Sequence, residues 1–313
     1  MAVLSARYPI LRTQIALSGF SEPLQLVHEQ AEIELYIGQS DDSLQAVHDW
    51  YEQEHQRGFA DNDYPLLRVA AHKIDAQRFH LSFSVHHAII DGWSEAALTA
   101  EVAELYGKAL AQAPLSQPPL VARYRDFIAQ EQAALNETRN HAFWRSQFEH
   151  VKAEPVLLAP SEDSDIASLA GKESDYITFS FGAAEAKALQ ALAVHCDVSL
   201  KTLMFAAHSK ALSLATGYEQ VVSGLSVHGR PEVMDSDKVL GLFVNVLPVT
   251  VACQGSSWRH FIQAVQTQMD AVEAQRFFPL EVVKELVGEE PFQVAFNYTS
   301  FNAYWQQDSV DAE

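Results

Sequence analysis

The chain has 313 residues, more than one hydrophobic core usually serves, so two lobes or domains are expected. Its 41 acidic and 21 basic residues give a net charge of −20, which argues against a surface that binds nucleic acid or an anionic membrane. Hydrophobic residues make up 48% of the chain and can supply a core, yet no apolar run approaches the ~18 residues of a membrane helix.

The first half of the chain mixes extended segments with amphipathic ones. Strands are predicted at 9–15, 66–74 and 78–87. Helices are predicted at 43–58, 94–112 and 124–148. Ser43 and Ser94 are the candidate N-caps, and Gly58 is expected just past the end of the first helix. A short polar segment, 75–77, separates the last two strands, so we expect them to form a hairpin.

The second half repeats this mixture. Strands are predicted at 174–181, 221–229, 241–251 and 291–301. Helices are predicted at 183–196, 199–217 and 257–275. Pro248 places the far end of its strand at the edge of a sheet, because proline cannot donate a ladder hydrogen bond. Both halves therefore indicate an α+β or α/β architecture in two lobes.

The least patterned stretch is KAEPVLLAPSEDSDIASLAGKESD, residues 152–175. It holds two prolines and many small or acidic residues, and no helical or strand period persists in it. We interpret it as the connection between an N-terminal lobe, 1–151, and a C-terminal lobe, 176–313.

Two cysteines, Cys196 and Cys253, make up the whole cysteine content. Neither lies in a CxxC motif or a Cys/His cluster, so we interpret both as ordinary small apolar residues. Such sparse cysteine usage favours a reducing cytoplasm, and the N-terminus lacks the pattern of a signal peptide. We expect a cytoplasmic protein.

A pair of histidines ends the predicted hairpin, in the stretch VHHAIIDGWS (85–94). Side chains alternate along a strand, so His87 continues the apolar row of Phe83 and Val85 and is predicted to be the more desolvated histidine. Gly92 allows a turn or a close backbone approach, and the following helix adds a positive electrostatic bias through its first amide groups.

By itself this stretch has several interpretations. A histidine at a strand end is more often structural than catalytic, and HHxxxD also contains residues that ligate metals, although no second cluster of ligand spacing stands out. The chain has no GxSxG elbow, no assembled Ser/His/Asp set and no phosphate loop. One candidate general base without a nucleophile favours direct transfer between two bound substrates over a covalent enzyme intermediate.

VHHAIIDGWS resembles the HHxxxDG active-site motif of nonribosomal peptide synthetase condensation domains, in its DGWS form. Other stretches resemble further motifs of that family in the same order along the chain. These are RYPILRT (7–13), YRDF (124–127), FW (143–144), GRPE (229–232), LGLFVNVLPV (240–249), RFFPLE (276–281) and PFQVAFNY (291–298). A wider acyltransferase superfamily shares HHxxxDG alone, so the ordered set is what indicates the narrower family.

The resemblance implies an α+β fold, an α/β sandwich of two lobes that each resemble chloramphenicol acetyltransferase and form a V with a central tunnel. It implies that a donor aminoacyl or peptidyl thioester and an acceptor amine arrive on the phosphopantetheine arms of two carrier proteins. The amine attacks the thioester and an amide forms. The resemblance further implies an adenylation domain in the same synthetase and no bound cofactor. From the charge and the ligand spacing described above, we expect no metal and no nucleic-acid or membrane partner.

Residue by residue, the resemblance gives His87 the catalytic role and His86 a structural one. Asp91 matches a residue that pairs with an arginine, and Arg12 and Arg230 are equal candidates for that partner. Gly92, Trp93 and Ser94 complete the motif.

Asn245 of the FVN segment matches a position near the tunnel. A contact with substrate and simple strand packing are both open for its side chain.

The chain departs from the family pattern at its ends. It begins at the second motif, and it stops soon after PFQVAFNY, where family members continue with further strands and a helix. We therefore expect a domain that lacks its first and last elements, with uncertain activity on its own.

Two other functions compete with amide formation. The first is a related HHxxxDG acyltransferase that makes an ester or uses a free acceptor. The second is a catalytically silent fragment that docks carrier proteins. Epimerisation and cyclisation domains fit less well, because Trp93 and Ser94 directly follow Gly92 and because the family's cyclisation branch carries aspartate where His86 and His87 stand.

Overall fold

The computed structural model describes residues 1–39, 43–149, 176–254, 257–288 and 290–299. Its mixture of helices and small sheets agrees with the expected α+β class. The helices are α1 (Ala2–Arg7), α2 (Ser43–Arg57), α3 (Gly92–Leu110), α4 (Tyr124–Asn136), α5 (Thr138–Phe148), α6 (Ala183–His195), α7 (Leu200–Thr216), α8 (Trp258–Glu273) and α9 (Leu280–Val287). The strands are β1 (Thr13–Ala16), β2 (Leu24–Val27), β3 (Glu34–Gln39), β4 (Leu67–Lys73), β5 (Phe79–Val85), β6 (Gln220–His228), β7 (Val244–Ala252) and β8 (Ala295–Phe296). Two short 3-10 helices cover Pro9–Arg12 and His87–Ile89.

Two compact units divide the chain. Unit 1 comprises Met1–Ile128 and Arg230–Phe243, and unit 2 comprises Ala129–Gly229 and the chain from Val244 onward. These boundaries differ from the predicted lobes, which were contiguous in sequence, and the predicted connection over 152–175 lies outside the described residues.

Core packing explains why the unit boundaries differ from the predicted ones. Trp144 of α5 is fully buried in the core of unit 2, so this helix belongs there and not with the N-terminal lobe. Leu240 is buried in the core of unit 1, which brings its segment back to the first unit.

Unit 1 contains the predicted hairpin. Strands β4 and β5 pair antiparallel from Leu67 with Val85 to Lys73 with Phe79, and β3 pairs parallel to β4. Asp75 closes the turn, because one of its carboxylate oxygens accepts hydrogen bonds from the backbone N–H groups of Gln77 and Arg78. The hairpin prediction is confirmed.

Helix α3 packs on this sheet through one apolar stripe. Leu98 and Leu105 lie seven residues apart on α3 and are both buried in the core of unit 1. The same core holds Leu11, Leu67, Val69, Ile89 and Ile90. Burying each such side chain contributes about 1.5–3 kcal/mol, so this stripe fixes the helix that follows the histidine pair.

Unit 2 is built on the sheet β7–β6–β8. Strands β6 and β7 pair antiparallel over their full lengths, and β8 pairs parallel to β6. Among the described strands β7 lies at the edge of its sheet, as Pro248 predicts. The core beneath the sheet includes Phe205, Leu225, Leu247, Val265, Met269 and Phe278.

One predicted helix is divided in the structure. The helical region over 124–148 is two helices, because the backbone at Glu137 is extended. Side chains of α5 then satisfy the last carbonyls of α4: Asn140 donates to the carbonyl of Ala134, and a ring nitrogen of His141 donates to that of Leu135.

The predicted strand over 174–181 is wrong for the residues that the structure describes. Residues 176–181 have no regular secondary structure, and Ile177 is 99% exposed. Alternation predicts which side chains share a face, but a strand also needs a neighbour to pair with, and alternation says nothing about that neighbour. Of the strand predicted at 291–301, the described part forms only β8.

Gly241 leaves room for an aromatic group in unit 1. A Cβ atom at this position would overlap the ring of Tyr124 and lie 3.0 Å from Cε2 of Phe243. Tyr124 is held in place by a 3.0 Å hydrogen bond from its hydroxyl to the carbonyl of Leu242. The glycine is therefore required by packing.

We expect Gly241→Ala to lower the free energy of unfolding by about 1–3 kcal/mol, because the methyl group overpacks this site. Urea unfolding followed by circular dichroism measures the change. The matched control is Gly107→Ala, an exposed position in the last turn of α3, where an added Cβ meets no atom within 4 Å. That variant is expected to gain about 0.5 kcal/mol or less from helix propensity, and equal effects in both variants would contradict the packing argument.

A partly buried carboxyl on α4 makes stability depend on pH. Burial raises the pKa of Glu131 to about 7, from an ordinary value of 4.5. A pKa raised on folding means that the stability contribution is present below the unfolded value and is lost as pH rises through about 7. We therefore expect wild type to lose roughly 1–3 kcal/mol relative to Glu131→Gln between about pH 5 and pH 8.

Urea unfolding of both proteins at the two pH values tests this. Glu285→Gln, at an exposed position on α9, serves as the control and should follow wild type at both pH values. A Glu131→Gln difference that does not change with pH would contradict the assignment.

Candidate functional site

Strand β5 carries the histidine pair to the start of α3. The strand ends at Val85, and a 3-10 turn begins at His87. Strand alternation therefore stops before His87 and gives no reason for this residue to be the more desolvated of the pair. Both His86 and His87 are exposed.

His86 has local contacts that hold the turn. Its Nδ1 atom accepts a 3.1 Å hydrogen bond from the backbone N–H of Ala88, and its ring meets the ring of Phe59 edge-on at 5.9 Å. Its own backbone N–H donates to the carbonyl of Leu66 on the neighbouring strand. These contacts fit the structural role expected for His86.

His87 has a different environment. Its backbone carbonyl accepts from the N–H of Ile90, but its imidazole makes none of the hydrogen bonds found among the residues that the structure describes. An exposed imidazole with both ring nitrogens open can hydrogen-bond a ligand and exchange a proton with it.

Asp91 caps α3 from a buried position. Only 2% of this residue is exposed, and its Oδ1 atom accepts a 2.7 Å hydrogen bond from the backbone N–H of Ser94. The predicted cap, Ser94, is therefore wrong, because the helix begins two residues earlier, at Gly92. The other oxygen, Oδ2, accepts from the N–H of Phe243 at 3.1 Å.

Arg230 is the arginine that pairs with Asp91. Its Nη2 atom lies 3.1 Å from Oδ1 of Asp91, and the residue is only 8% exposed. Its Nη1 atom donates to the carbonyls of Ser236 and Val239, and its guanidinium lies 4.2 Å from the ring centre of Phe243.

Arg12, the other candidate partner of Asp91, lies elsewhere in unit 1. Its guanidinium donates to the carbonyls of Ser5 and His28. The sequence could not decide between the two arginines, but these contacts do. Arg230 pairs with Asp91, and Arg12 hydrogen-bonds the backbone elsewhere.

Ser94 completes the buried arrangement. It is fully buried, and its hydroxyl donates to the carbonyl of Gly241 at 2.9 Å. The same oxygen accepts from Nη2 of Arg230 at 2.6 Å and from the N–H of Gly241 at 3.1 Å. One donor and two acceptor positions are thus all used, so this hydroxyl is positioned as a structural group.

Trp93 lies at the outer side of this arrangement. Its indole N–H donates to the carbonyl of Asp237 at 2.9 Å, and its ring centre is 5.8 Å from the guanidinium of Arg230. Helix α3 thus holds the segment 230–243 through Trp93 as well as through Asp91 and Ser94. Sequence analysis did not foresee that Gly241 and Phe243 supply backbone groups here, although both lie in a stretch that matched a family motif.

Asn245 lies in unit 2, on β7. Its side-chain amide donates to the carbonyls of Arg276 at 3.2 Å and Phe278 at 2.8 Å. These contacts account for both N–H groups of the amide and favour the packing interpretation. A contact with substrate stays a prediction.

Neither a metal centre nor a membrane segment stands out in the described ranges. Within them no group of three or more His, Cys, Asp and Glu side chains is placed to hold a metal ion. No helix there is long and apolar enough to cross a membrane. The cysteines Cys196 and Cys253 are both buried and unpaired.

Comparison with solved structures places the fold in a known class. The first condensation domain of the calcium-dependent antibiotic synthetase, solved with a substrate analogue, superposes with a TM-score of 0.73. Sequence identity is 17%, and the match covers 95% of this chain and 70% of that one. The fold is that of a condensation domain.

The chain belongs to the condensation-domain family, whose model matches residues 1–313. AMB antimetabolite synthetase AmbE of Pseudomonas aeruginosa is 29% identical, over 99% of this chain and 14% of its own length. Surfactin synthase subunit 1 of Bacillus subtilis is 30% identical, over 94% of this chain and 8% of its own length. The chain therefore spans a small part of these synthetases. The family consists of acyltransferases that form amide bonds in nonribosomal peptide synthesis.

We expect Asp91→Ala to lower the free energy of unfolding by about 3–5 kcal/mol, because the change leaves the buried Arg230 charge without its partner. Thermal and urea unfolding measure the loss. Lys108→Met is the control, since it breaks an exposed pair with Glu104 on the same helix and should stay within about 0.5 kcal/mol of wild type. A loss below about 1 kcal/mol for Asp91→Ala would contradict a structural role for the pair.

Proposed function

We propose that this chain catalyses the condensation step of nonribosomal peptide synthesis. An acceptor amine on one carrier protein attacks the thioester of a donor acyl or aminoacyl group on another. The observation that carries the proposal is the contrast within the motif: Asp91, Ser94 and His86 are used by the fold, whereas the imidazole of His87 is exposed and open to a ligand.

The chemistry matches the groups that the motif offers. The amine nitrogen forms a bond to the thioester carbon, the carbon–sulfur bond breaks, and the thiol of the donor arm leaves. The proton lost by the amine ends on that sulfur. A thioester is already activated, and an α-amine has a pKa near 7.7–8.0, so part of it is neutral at pH 7. No enzyme nucleophile is needed.

His87 is the group that would accept the proton of the amine or orient the amine. It takes the proton from the attacking amine, or it orients the amine through a hydrogen bond. General base catalysis contributes about 10²–10⁴-fold, whereas orientation alone contributes less through the imidazole. The size of the loss in a His87 variant therefore separates the two roles.

The partners follow from the same chemistry. Donor and acceptor carrier proteins deliver the substrates on phosphopantetheine arms, and an adenylation domain of the same synthetase loads them. The relatives support this, because they are synthetases far longer than the chain. Two buried free thiols fit a reducing cytoplasm.

The test is a single-turnover assay followed by intact-protein mass spectrometry. A donor carrier loaded with an aminoacyl group and an acceptor carrier loaded with an amino acid are mixed with the chain. We expect dipeptide on the acceptor with wild type, and a rate about 10²–10⁴-fold lower with His87→Ala. His48→Ala, at an exposed position on α2, is the control and should retain the wild-type rate.

Other outcomes distinguish the competing functions. Product with a free amine or an alcohol, but not with a loaded acceptor carrier, would indicate the related acyltransferase. Carrier binding without any product, in this chain and in a version extended by the neighbouring sequence at both ends, would refute condensation and indicate a docking module. A His87→Ala rate equal to wild type would remove His87 from the chemistry.

A further inference from the structure

A cleft of about 450 Å³ opens in unit 2 between α4 and α5 on one side and the end of α8 on the other. Its volume is in the range of small-molecule sites. Ala133, Ala134 and Ala274 line it with small side chains, and Phe277 supplies an aromatic surface. A narrow ligand with short side groups would fit such walls.

Three carboxamides, those of Gln130, Asn140 and Gln275, also line the cleft. Asn140 is only 7% exposed, and its Nδ2 atom donates to the carbonyl of Ala134 at 2.8 Å. This bond to a carbonyl identifies which end of the amide is nitrogen.

The oxygen of Asn140 is therefore the end of this side chain that stays open to a donor. Within the described ranges it accepts no hydrogen bond. A ligand N–H group can donate to this oxygen in place of water.

The charge at the lip of the cleft is balanced. Glu137 and Arg139 line it and form an ion pair with each other. Both side chains are exposed, so the pair favours neither an anionic nor a cationic ligand. An uncharged ligand with both N–H donors and carbonyl acceptors matches three carboxamides best.

Hydrogen bonds from Asn245 fix the backbone on both sides of Phe277, the aromatic residue of the cleft. Asn245 donates to the carbonyls of Arg276 and Phe278, the residues on either side of Phe277. The backbone that carries the Phe277 ring is thus fixed to strand β7. A wall held at two points can present the same surface to each ligand.

We propose that this cleft binds a short uncharged chain that carries secondary amide groups. Two sources share this chemistry: a peptide segment with small side chains and a pantetheine arm. The pantetheine arm is a candidate because of the proposed function. Binding at the cleft itself does not depend on that function, since His87 is not among the residues that line it.

Isothermal titration calorimetry with three probes tests the proposal. The probes are N-acetyl-dialanine methylamide, D-pantetheine, and the fully N-methylated form of the peptide, which has no N–H group. We expect the peptide or the pantetheine to bind, and the N-methylated peptide to bind about tenfold more weakly because it cannot donate to Asn140. The better binder of the first two identifies the source.

Variants locate the binding. The double variant Gln130→Ala with Gln275→Ala should weaken it about tenfold. Gln132→Ala, exposed on the same helix but outside the cleft lining, should bind as wild type does. Circular dichroism confirms that each variant is folded before titration.

Several results would overturn the proposal: no heat with either amide probe, equal affinity for the N-methylated peptide, or unchanged affinity in the double variant. His87→Ala is titrated in parallel and should bind as wild type. Loss of condensation in that variant with retained binding separates the two proposals, so either can fail while the other stands.

Discussion

The buried ion pair between Asp91 and Arg230 is the interaction on which the motif depends. Two charges removed from water cost several kcal/mol each, and their attraction offsets this only when further hydrogen bonds satisfy the remaining atoms. Those bonds are present: Asp91 accepts from two backbone N–H groups, and Arg230 donates to two backbone carbonyls and to Ser94. The pair and its hydrogen bonds therefore allow only one arrangement of α3 against the segment 230–243.

This arrangement explains why the histidines lie where they do. Asp91 fixes the first turn of α3, and hairpin β4–β5 fixes the preceding strand, so the turn between them has little freedom. His86 fills that turn and hydrogen-bonds its backbone. His87 is left at the surface, held by its backbone but not by its side chain. The spacing of HHxxxDG thus has a physical basis: a strand end, one turn and a helix cap.

The sequence predicted local secondary structure better than it predicted which distant residues come into contact. The hairpin and α2 follow from alternation, helical spacing and glycine after the helix end, and all of these are local signals. The exposure of His87 could not be derived, because alternation holds only while the strand continues. The choice of Arg230 over Arg12 was not legible either, since 139 residues separate Arg230 from Asp91 and only folding brings them together. Residues 176–181 show the same limit, because a strand pattern does not identify a pairing strand.

The exposure of His87 also bears on where the rate acceleration arises. General base catalysis of about 10²–10⁴-fold corresponds to roughly 3–5 kcal/mol of barrier. Placing an amine and a thioester in attack geometry can supply about 7–11 kcal/mol. Positioning is therefore the larger contribution, and the proposed carrier arms have to provide it. The buried charges hold the motif in place and leave the imidazole of His87 open to a ligand, which suits a reaction in which a tethered amine attacks an already activated thioester.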